Sequence, residues 1–477
     1  MITLALLIGL AGFFFGEKAP QAGSLGDEKY YLLITKFFQP LVFEHGLDDY
    51  RLQRILPCAL VHYSLKLFSI PLTIDNIVHA FGFINVLLLG LIAYVWCLIS
   101  DEIRLSQQGR WLGAIALFCN FHILKYIPYI QVSTDLFAYA ITLSLIYFYL
   151  KNNVWALLSL VVIGSFIWPT ILYTGTILIL FPRDQHALKE TSPAPLFLNF
   201  ALPIGLSVFV LWKMQMILKV LHSGAIYAYG IFSMGSNRPI MSVIYVSIGI
   251  VIAYLFATLS PLFNQGELYQ GKYWTRHLRP TRWIMAVSVI MVVKLILYYG
   301  AVKHDARPLD YLITNLLIVS AMQPGAFLVS HVMYFGPVVL FLFFLWKPFC
   351  RLIQECGPGL LLCMVLVVVF ALDSESRKQM NTFPFLVPFL IKAMDQLTIK
   401  RIHFWVLGLL SLVFSKVWLP IHAWPWSGKV LEFPDQFYYM NMGPWMSHAM
   451  YALQGGIVIL TAAAIYFIFI RNQEVKI

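Results

Sequence analysis

The chain has 477 residues, of which 60% are hydrophobic and only 12% are charged, and its net charge at pH 7 is +11. An ordinary soluble domain carries about twice this share of charged residues. One soluble core cannot bury so much apolar surface, and a disordered chain has the opposite composition. These values exclude a lone soluble enzyme and a disordered protein, and they predict a membrane protein with many spans.

The positive charge does not indicate a nucleic-acid partner. Lysines and arginines lie in short connectors between apolar runs, where lipid headgroups and membrane topology account for them. The six cysteines form no close CxxC pair, so neither a zinc site nor a disulfide framework is indicated. The absence of any Asn-x-Ser/Thr sequence favours a bacterial inner membrane over a glycosylating secretory pathway.

The N-terminal part begins with an apolar run at 2–15, which predicts a first helix. A long polar and aromatic stretch follows. Residues 55–70 are apolar but contain His62 and Lys66, so we predict an interfacial or re-entrant helix, with a short span as the alternative. Residues 16–75 are therefore expected to form a first extracytoplasmic loop that contains interfacial helices.

The remaining apolar runs predict an all-α fold, a polytopic transmembrane helical bundle of about 14 spans. The whole chain, 1–477, is expected to be one integral membrane domain without a separate soluble domain. Some runs are shorter than the roughly 20 residues that cross hydrocarbon, and these should be tilted, broken or buried among neighbours. The predicted spans after the first helix are 76–99, 111–124, 133–150, 154–168, 170–181, 197–218, 239–259, 283–300, 326–346, 358–372, 383–397, 402–419 and 448–470.

The distribution of basic residues predicts that both termini are cytoplasmic. With the N-terminus inside, the inside connectors are richer in lysine and arginine than the outside ones beyond the first loop. The segments 16–54, 373–382 and 420–447 then lie on the outer side, opposite 260–282. The two halves show no matched broken helices, which argues against an inverted-repeat transporter.

The first loop holds acids, arginines and aromatic residues close together in sequence. Asp27 follows the first helix, and Asp49 stands before Arg51 and Arg54. Arginine offers forked donors to phosphate, and a carboxylate can accept a proton from an attacking hydroxyl. This composition is compatible with a site for a phosphate and a sugar; a solvated loop with interfacial tyrosines is the alternative.

Two further regions carry candidate residues. Asp135 follows Ser133 and Thr134 at the outer end of a predicted span, where it would either cap the helix or belong to a site. A late outer loop carries acidic and basic residues, which either bind a lipid-linked phosphate or only pair with one another in a surface turn. A nearby predicted helix carries two polar residues on one face. These residues are Glu375, Arg377, Lys378, His331 and Tyr334.

Four short segments resemble the polytopic GT-C glycosyltransferases, which take a sugar from a polyprenyl-phosphate carrier. They are "GDEKYY", "YRLQRILP", "VSTDLFAYAITLSLIYFYLKN" and "DSESRKQMNTFPFL". The resemblance implies a catalytic acid in the first outer loop, which matches Asp27, and a late basic residue that holds the carrier phosphate, which matches Arg377. The large C-terminal extracytoplasmic domain of many members is missing, which leaves the acceptor site unassigned.

The residues themselves also favour Asp27 as the base. Its position is anchored by the first helix, and Tyr30 and Tyr31 would partly exclude water. The competing role is a cap on a helix that begins near Glu28. The expected partners are a polyprenyl-phosphate sugar donor, membrane lipids, an unidentified glycan, lipid or protein acceptor, and other membrane proteins; a divalent cation, Mg²⁺ or Mn²⁺, is compatible with such a site.

Three other functions remain open. A transporter of lipid-linked substrates would place paired charges at mid-membrane. A polysaccharide polymerase or ligase would use a late outer loop, here 420–447 with His422 and Lys429. A non-catalytic subunit of a membrane complex would conserve the fold without the reaction.

Overall fold

The computed structural model describes residues 1–19, 27–183, 194–222, 241–303, 309–420 and 448–471. The regular secondary structure of this part of the chain is helical, apart from a small parallel pair of strands, β1 (Leu47–Asp48) and β2 (Ala301–Lys303). The predicted all-α class is therefore confirmed. The late loop 421–447, with His422 and Lys429, lies outside the described residues.

The helices follow one another with short connections. In chain order they are α1 (Ile2–Phe15), α2 (Glu28–Lys36), α3 (Asp49–Leu52), α4 (Ile55–Leu67), α5 (Ile74–Glu102), α6 (Gln107–Phe118), α7 (Ile127–Tyr129), α8 (Asp135–Leu150), α9 (Val154–Ser165), α10 (Pro169–Leu180), α11 (Leu196–His222), α12 (Met241–Leu262), α13 (Gly271–His277), α14 (Pro280–Gly300), α15 (Leu309–Ala321), α16 (Ala326–Phe335), α17 (Phe341–Glu355), α18 (Pro358–Phe370), α19 (Phe383–Met394), α20 (Arg401–Ser415) and α21 (His448–Ile465). Short 3₁₀ or π segments occupy Pro40–Glu44, His122–Tyr126, Gly266–Tyr269, Pro337–Leu340, Ser376–Asn381 and Tyr466–Ile470.

Among the described residues, six helices are long and apolar enough to cross a membrane, or up to eight if each of two bent pairs counts as one span. The chain is thus a multi-pass membrane protein. The predicted number of about 14 spans is not confirmed, because eight further apolar helices have only 10–17 residues. Helices this short do not reach across the hydrocarbon unaided.

Two breaks interrupt apolar segments that read as continuous in sequence. The predicted span 326–346 is wrong: α16 ends before Gly336, which has φ 89°, and Pro337 opens a new 3₁₀ turn. Upstream, α15 and α16 meet at an angle of 91° around Gly325, whose φ is 66°. Glycine tolerates this left-handed backbone, so the chain turns sharply here. The first bent pair, α6 with 122–129, turns by 48° within the segment predicted as short or broken.

Helix starts follow local capping signals. Thr73 accepts a hydrogen bond from the Asn76 amide at the start of α5, and Ser106 does the same for Gly109 at the start of α6. Asn153 caps α9 through the amide of Ala156. Such side chains satisfy amides that have no partner inside the helix.

The bundle has two ends with different charged groups. At one end Glu28 of the first loop contacts Arg377 of the late loop. Helix α8 runs from Asp135 at this end to Lys151, which pairs with Glu102 at the other end. There, Trp274 of α13 packs on Phe181, so the described residues of 264–282 lie opposite the first loop. This is the relative arrangement that the alternation of spans predicts.

Close packing between α5 and α6 depends on a glycine. A Cβ atom built on Gly113 would lie 1.8 Å from Cζ2 of Trp96. Trp96 is fully buried, and its indole nitrogen donates to the Arg110 carbonyl at 3.0 Å. The ring therefore has little freedom to move away.

We predict that Gly113→Ala lowers the stability of the protein by about 1–3 kcal/mol, because the added methyl group overlaps the fixed indole. Thermal unfolding in detergent measures the change. Gly249→Ala is the matched control, since nothing lies within 4 Å of its added Cβ and alanine is the better helix former. Equal stability of the two variants would contradict the proposed constraint.

Candidate active site

Arg377 lies at the centre of a buried polar cluster. It belongs to the 3₁₀ turn Ser376–Asn381 between α18 and α19, and its side chain is 11% exposed. Its Nη1 donates to Glu28 Oε1 at 2.5 Å and to the Tyr126 hydroxyl at 2.9 Å, and its Nε lies 3.6 Å from Asp135 Oδ2. Four distant segments of the chain therefore meet at one guanidinium group.

The two carboxylates of this cluster begin helices. Glu28 is the first residue of α2, and Asp135 is the first residue of α8. The side chains of both are almost fully buried, at 2% and 1% exposed. The positive end of each helix dipole favours an anion at that position. A buried guanidinium needs such partners, because an unpaired buried charge is strongly destabilising.

Glu28 is the acid most affected by burial. Removal from water raises the pKa of Glu28 to about 7, although the charge of Arg377 opposes the rise and that of Asp135 adds to it. Near neutral pH this carboxyl group therefore exchanges a proton while it holds Nη1 of Arg377. The cluster contains one positively charged group, Arg377, and two carboxyl groups, Glu28 and Asp135. Protonation of one carboxyl group therefore brings the net charge of the cluster close to zero.

One nitrogen of Arg377 remains available. Within the described part of the chain, Nη2 donates no hydrogen bond, and it is not sealed from solvent. Glu28, Tyr126 and Asp135 thus fix the plane of the guanidinium and leave one corner open. An anion beside Nη2 would accept hydrogen bonds from its two N–H groups.

Asp27 lies beside the cluster and is half-buried. Its Oδ2 accepts a hydrogen bond from the Tyr50 hydroxyl at 3.0 Å. Asp27 occupies the N-cap position of α2, but its side chain makes no capping hydrogen bond, so the cap alternative is not observed. Its negative charge acts to raise the pKa of Asp135 and that of Glu375, so Asp27 lies within electrostatic range of both.

Arg54 forms a second buried cation at this end. Its Nη1 donates to the Tyr31 hydroxyl at 2.9 Å. Its guanidinium carbon lies 4.5 Å from the ring centre of Tyr50 and 4.4 Å from that of Trp168. The aromatic faces stabilise the charge where few water molecules reach it.

The other first-loop candidates lie outside the cluster. Arg51 pairs with Asp48 and stacks over Tyr30 at 4.1 Å. Asp49 begins α3, and its shielded Oδ1 accepts no hydrogen bond from the described residues. The structure therefore does not bring Arg51 or Asp49 into direct contact with Arg377.

Late-loop residues support the turn that carries Arg377. Lys378 bridges Asp373 at 3.0 Å and Glu375 at 2.9 Å, and its side chain is half exposed. His331 of α16 contacts the Ser376 hydroxyl at 2.9 Å and the Ala371 carbonyl at 2.8 Å. These contacts hold the segment between the end of α18 and the start of the turn, so His331 serves as a satisfied structural residue.

Tyr334 faces the same cluster from α16. Its hydroxyl lies 2.7 Å from Nδ1 of His122, and the ring of His122 stacks on Tyr126. Each of the two bent helix pairs thus contributes aromatic residues to the surroundings of the Arg377 cluster. The sequence did not single out Tyr126 or His122, because an aromatic residue in an apolar run usually signals core packing.

The sequence also did not single out Glu28 as the partner of Arg377. Asp27 and Glu28 are adjacent in "GDEKYY", and only Glu28 reaches the guanidinium. The one usable signal was the acid pair itself, since two consecutive acids at a helix start point in different directions. As for metals, no three His, Cys, Asp or Glu side chains converge as ligands within the described ranges.

Comparison with known proteins gives limited similarity. No protein-family model and no curated protein matches the chain. Two solved structures of the oligosaccharyltransferase from Archaeoglobus fulgidus are similar to it. AglB in complex with an inhibitory peptide and a dolichol-phosphate aligns with a TM-score of 0.42 and 11% identity, over 87% of this chain and 55% of that chain. The apo form aligns with a TM-score of 0.41 and 14% identity, over 95% and 55%.

Both alignments cover the two oligosaccharyltransferase structures only in part of their length. The chain spans about half the length of each. At this TM-score and identity no residue role, donor or acceptor is transferred from them. The function is therefore argued from the residues of this chain.

We predict that Glu28 makes the stability of the protein depend on pH. The folded-state pKa of about 7 exceeds the ordinary value of 4.5, so the folded protein retains a proton that the unfolded chain releases. This contribution is complete below about pH 4.5 and is lost as the pH rises through 7, with an upper value of about 3 kcal/mol.

Glu28→Gln should therefore flatten the dependence of thermal stability on pH between 5 and 8. Unfolding temperatures of the detergent-solubilised protein measure this dependence. Glu44→Gln, which changes an exposed acid of the same loop, should retain the wild-type slope. A wild-type slope in Glu28→Gln as well would show that Glu28 does not titrate in this range.

Proposed function

We propose that this chain is a membrane glycosyltransferase that moves a sugar from a polyprenyl-phosphate-linked donor to an acceptor at the extracytoplasmic face. One observation carries the proposal: an acid-bearing first loop and an arginine of a late loop, 349 residues apart, meet at one end of the bundle. Asp27 lies half-buried beside them. A base and a phosphate-binding cation are thus close together at one membrane surface.

In this proposal Asp27 is the general base. The acceptor hydroxyl oxygen attacks the anomeric carbon of the donor, and the hydroxyl proton passes to Asp27. The bond between that carbon and the phosphate oxygen breaks, and its electron pair leaves with polyprenyl phosphate. Asp27 suits this role better than Glu28 does, because Glu28 is almost fully buried and already engaged with Arg377.

Arg377 binds the carrier phosphate through Nη2. Glu28 and Tyr126 hold Nη1, and the Asp135 carboxylate lies 3.6 Å from Nε as an ion pair, so little side-chain entropy is lost on binding. The cation stabilises the negative charge that develops on the leaving phosphate. Arg54 supplies a second positive charge near the same surface, and the exposed Lys378 adds a third.

Orientation and cofactors belong to the proposal as well. The excess of basic residues in the connectors at the opposite end supports an extracytoplasmic position for the cluster. The acceptor, a glycan, a lipid or a protein, is left open. The described residues offer no set of three ligands for Mg²⁺ or Mn²⁺, and the proposed reaction is written in terms of the side chains alone.

We predict that Asp27→Asn lowers sugar transfer about 100-fold or more, because asparagine still accepts the hydrogen bond from Tyr50 but cannot take a proton. The assay measures polyprenyl phosphate released from labelled polyprenyl-phosphate hexoses in proteoliposomes, with glycan, lipid and peptide acceptors. Asp75→Asn, at an exposed first-turn position of α5, is the control. Near-normal transfer by a folded Asp27→Asn protein would remove Asp27 from the reaction.

We predict that Arg377→Lys weakens donor binding about tenfold or more with the fold retained. Lysine keeps the charge but cannot contact Glu28, Tyr126 and a phosphate together, because it lacks the planar fork. The KM for the donor measures the effect. Arg276→Lys, at an exposed position of α13 at the opposite end, should leave KM unchanged. An unchanged KM in Arg377→Lys would exclude the phosphate role.

A further inference from the structure

Tyr50 makes a contact that the proposed reaction does not yet explain. Its hydroxyl donates to Oδ2 of Asp27 at 3.0 Å, across 23 residues of the first loop. Within the described part of the chain, the other carboxylate oxygen, Oδ1, accepts no hydrogen bond and is not sealed from solvent. The tyrosine therefore occupies one oxygen and leaves the other open.

Three elements hold the Tyr50 ring in place. Tyr50 is in α3, and Arg54, four residues later, precedes α4 and lies over its ring at 4.5 Å. The same guanidinium lies 4.4 Å from the ring of Trp168, which precedes α10 and is 4% exposed. A buried cation over aromatic faces is attracted by the ring electrons, which favours one position of the Tyr50 ring.

The direction of the hydrogen bond is fixed. Burial raises the pKa of the Tyr50 hydroxyl, although the nearby charge of Arg54 acts in the opposite direction. The hydroxyl therefore keeps its proton at neutral pH and donates it to the carboxylate. A donor on a carboxylate favours its ionised form, which is the form that accepts a proton from the acceptor.

We propose that Tyr50 is the positioning residue of Asp27, held by Arg54 against Trp168, and that its hydrogen bond orients Oδ1 toward the acceptor hydroxyl. This inference rests on the proposed function. Tyr50 touches neither reacting atom in this arrangement. Its effect is therefore expected on turnover and on the pH profile, with donor binding unchanged.

Tyr50→Phe removes only the hydroxyl group. We expect kcat to fall about tenfold, the KM for the donor to stay constant, and the acid limb of the pH profile to move upward by about 0.5–1 pH unit. Trp168→Leu, which removes one of the two rings beside the Arg54 guanidinium, should move the limb in the same direction. Because both changes act on one contact, their effects in the double variant should be less than additive.

Tyr63→Phe is the matched control, since Tyr63 is 46% exposed on α4 and the tyrosine that donates to Asp27 is Tyr50. It should leave kcat and the pH profile unchanged. A Tyr50→Phe protein with reduced kcat but an unmoved acid limb would show a purely structural role and overturn the proposal. Unchanged kcat and an unmoved limb would also overturn it.

A second readout does not need activity. Infrared titration of the full chain in lipid detects the carboxyl band that disappears in Asp27→Asn, and this band should titrate at higher pH in Tyr50→Phe. Should wild-type protein transfer no sugar while the band still moves, the positioning contact stands and the proposed function fails. Should transfer occur without movement of the band, the proposed function stands and the positioning role fails.

Discussion

Burial of Arg377 is the constraint on which the described structure most depends. A guanidinium cannot lose its proton inside a protein, so the surrounding chain must supply anions and hydrogen-bond acceptors. Glu28, Asp135 and Tyr126 supply them from three separate segments. The interaction therefore joins the first loop, the start of α8, the first bent helix pair and the late turn into one unit, and the placement of Asp27 follows from it.

Broken helices provide the geometry for this cluster. A continuous membrane helix has no free backbone groups and directs its side chains mainly at neighbouring helices. The breaks after α6 and before α16 let short helical segments enter the bundle at steep angles. They bring Tyr126 and Tyr334 together beside the same polar region, with ring centres 6.4 Å apart and His122 in contact with both. The aromatic rings exclude water, which strengthens the charge interactions beside them.

The cluster separates two tasks between neighbouring acids. Glu28 is sealed inside and serves as the counter-ion of Arg377, whereas Asp27 is half-buried and keeps one oxygen free. Adjacent residues at a helix start diverge by about 100° around the axis, so one side chain faces the core while the other faces the loop. This division places a buried ion pair and the carboxylate that we propose as the base within one turn of the chain.

The sequence by itself determined the all-α membrane fold and most helix positions, and it singled out Asp27, Asp135 and Arg377 as candidates, because hydropathy and isolated charges in apolar chains are local signals. Only the tertiary structure decided which acids meet Arg377, that the span predicted at 326–346 breaks, and that Arg51 and Asp49 stand apart. Contacts across 349 residues depend on how helices pack, and no local pattern of residues encodes the direction in which two neighbouring carboxylates finally point.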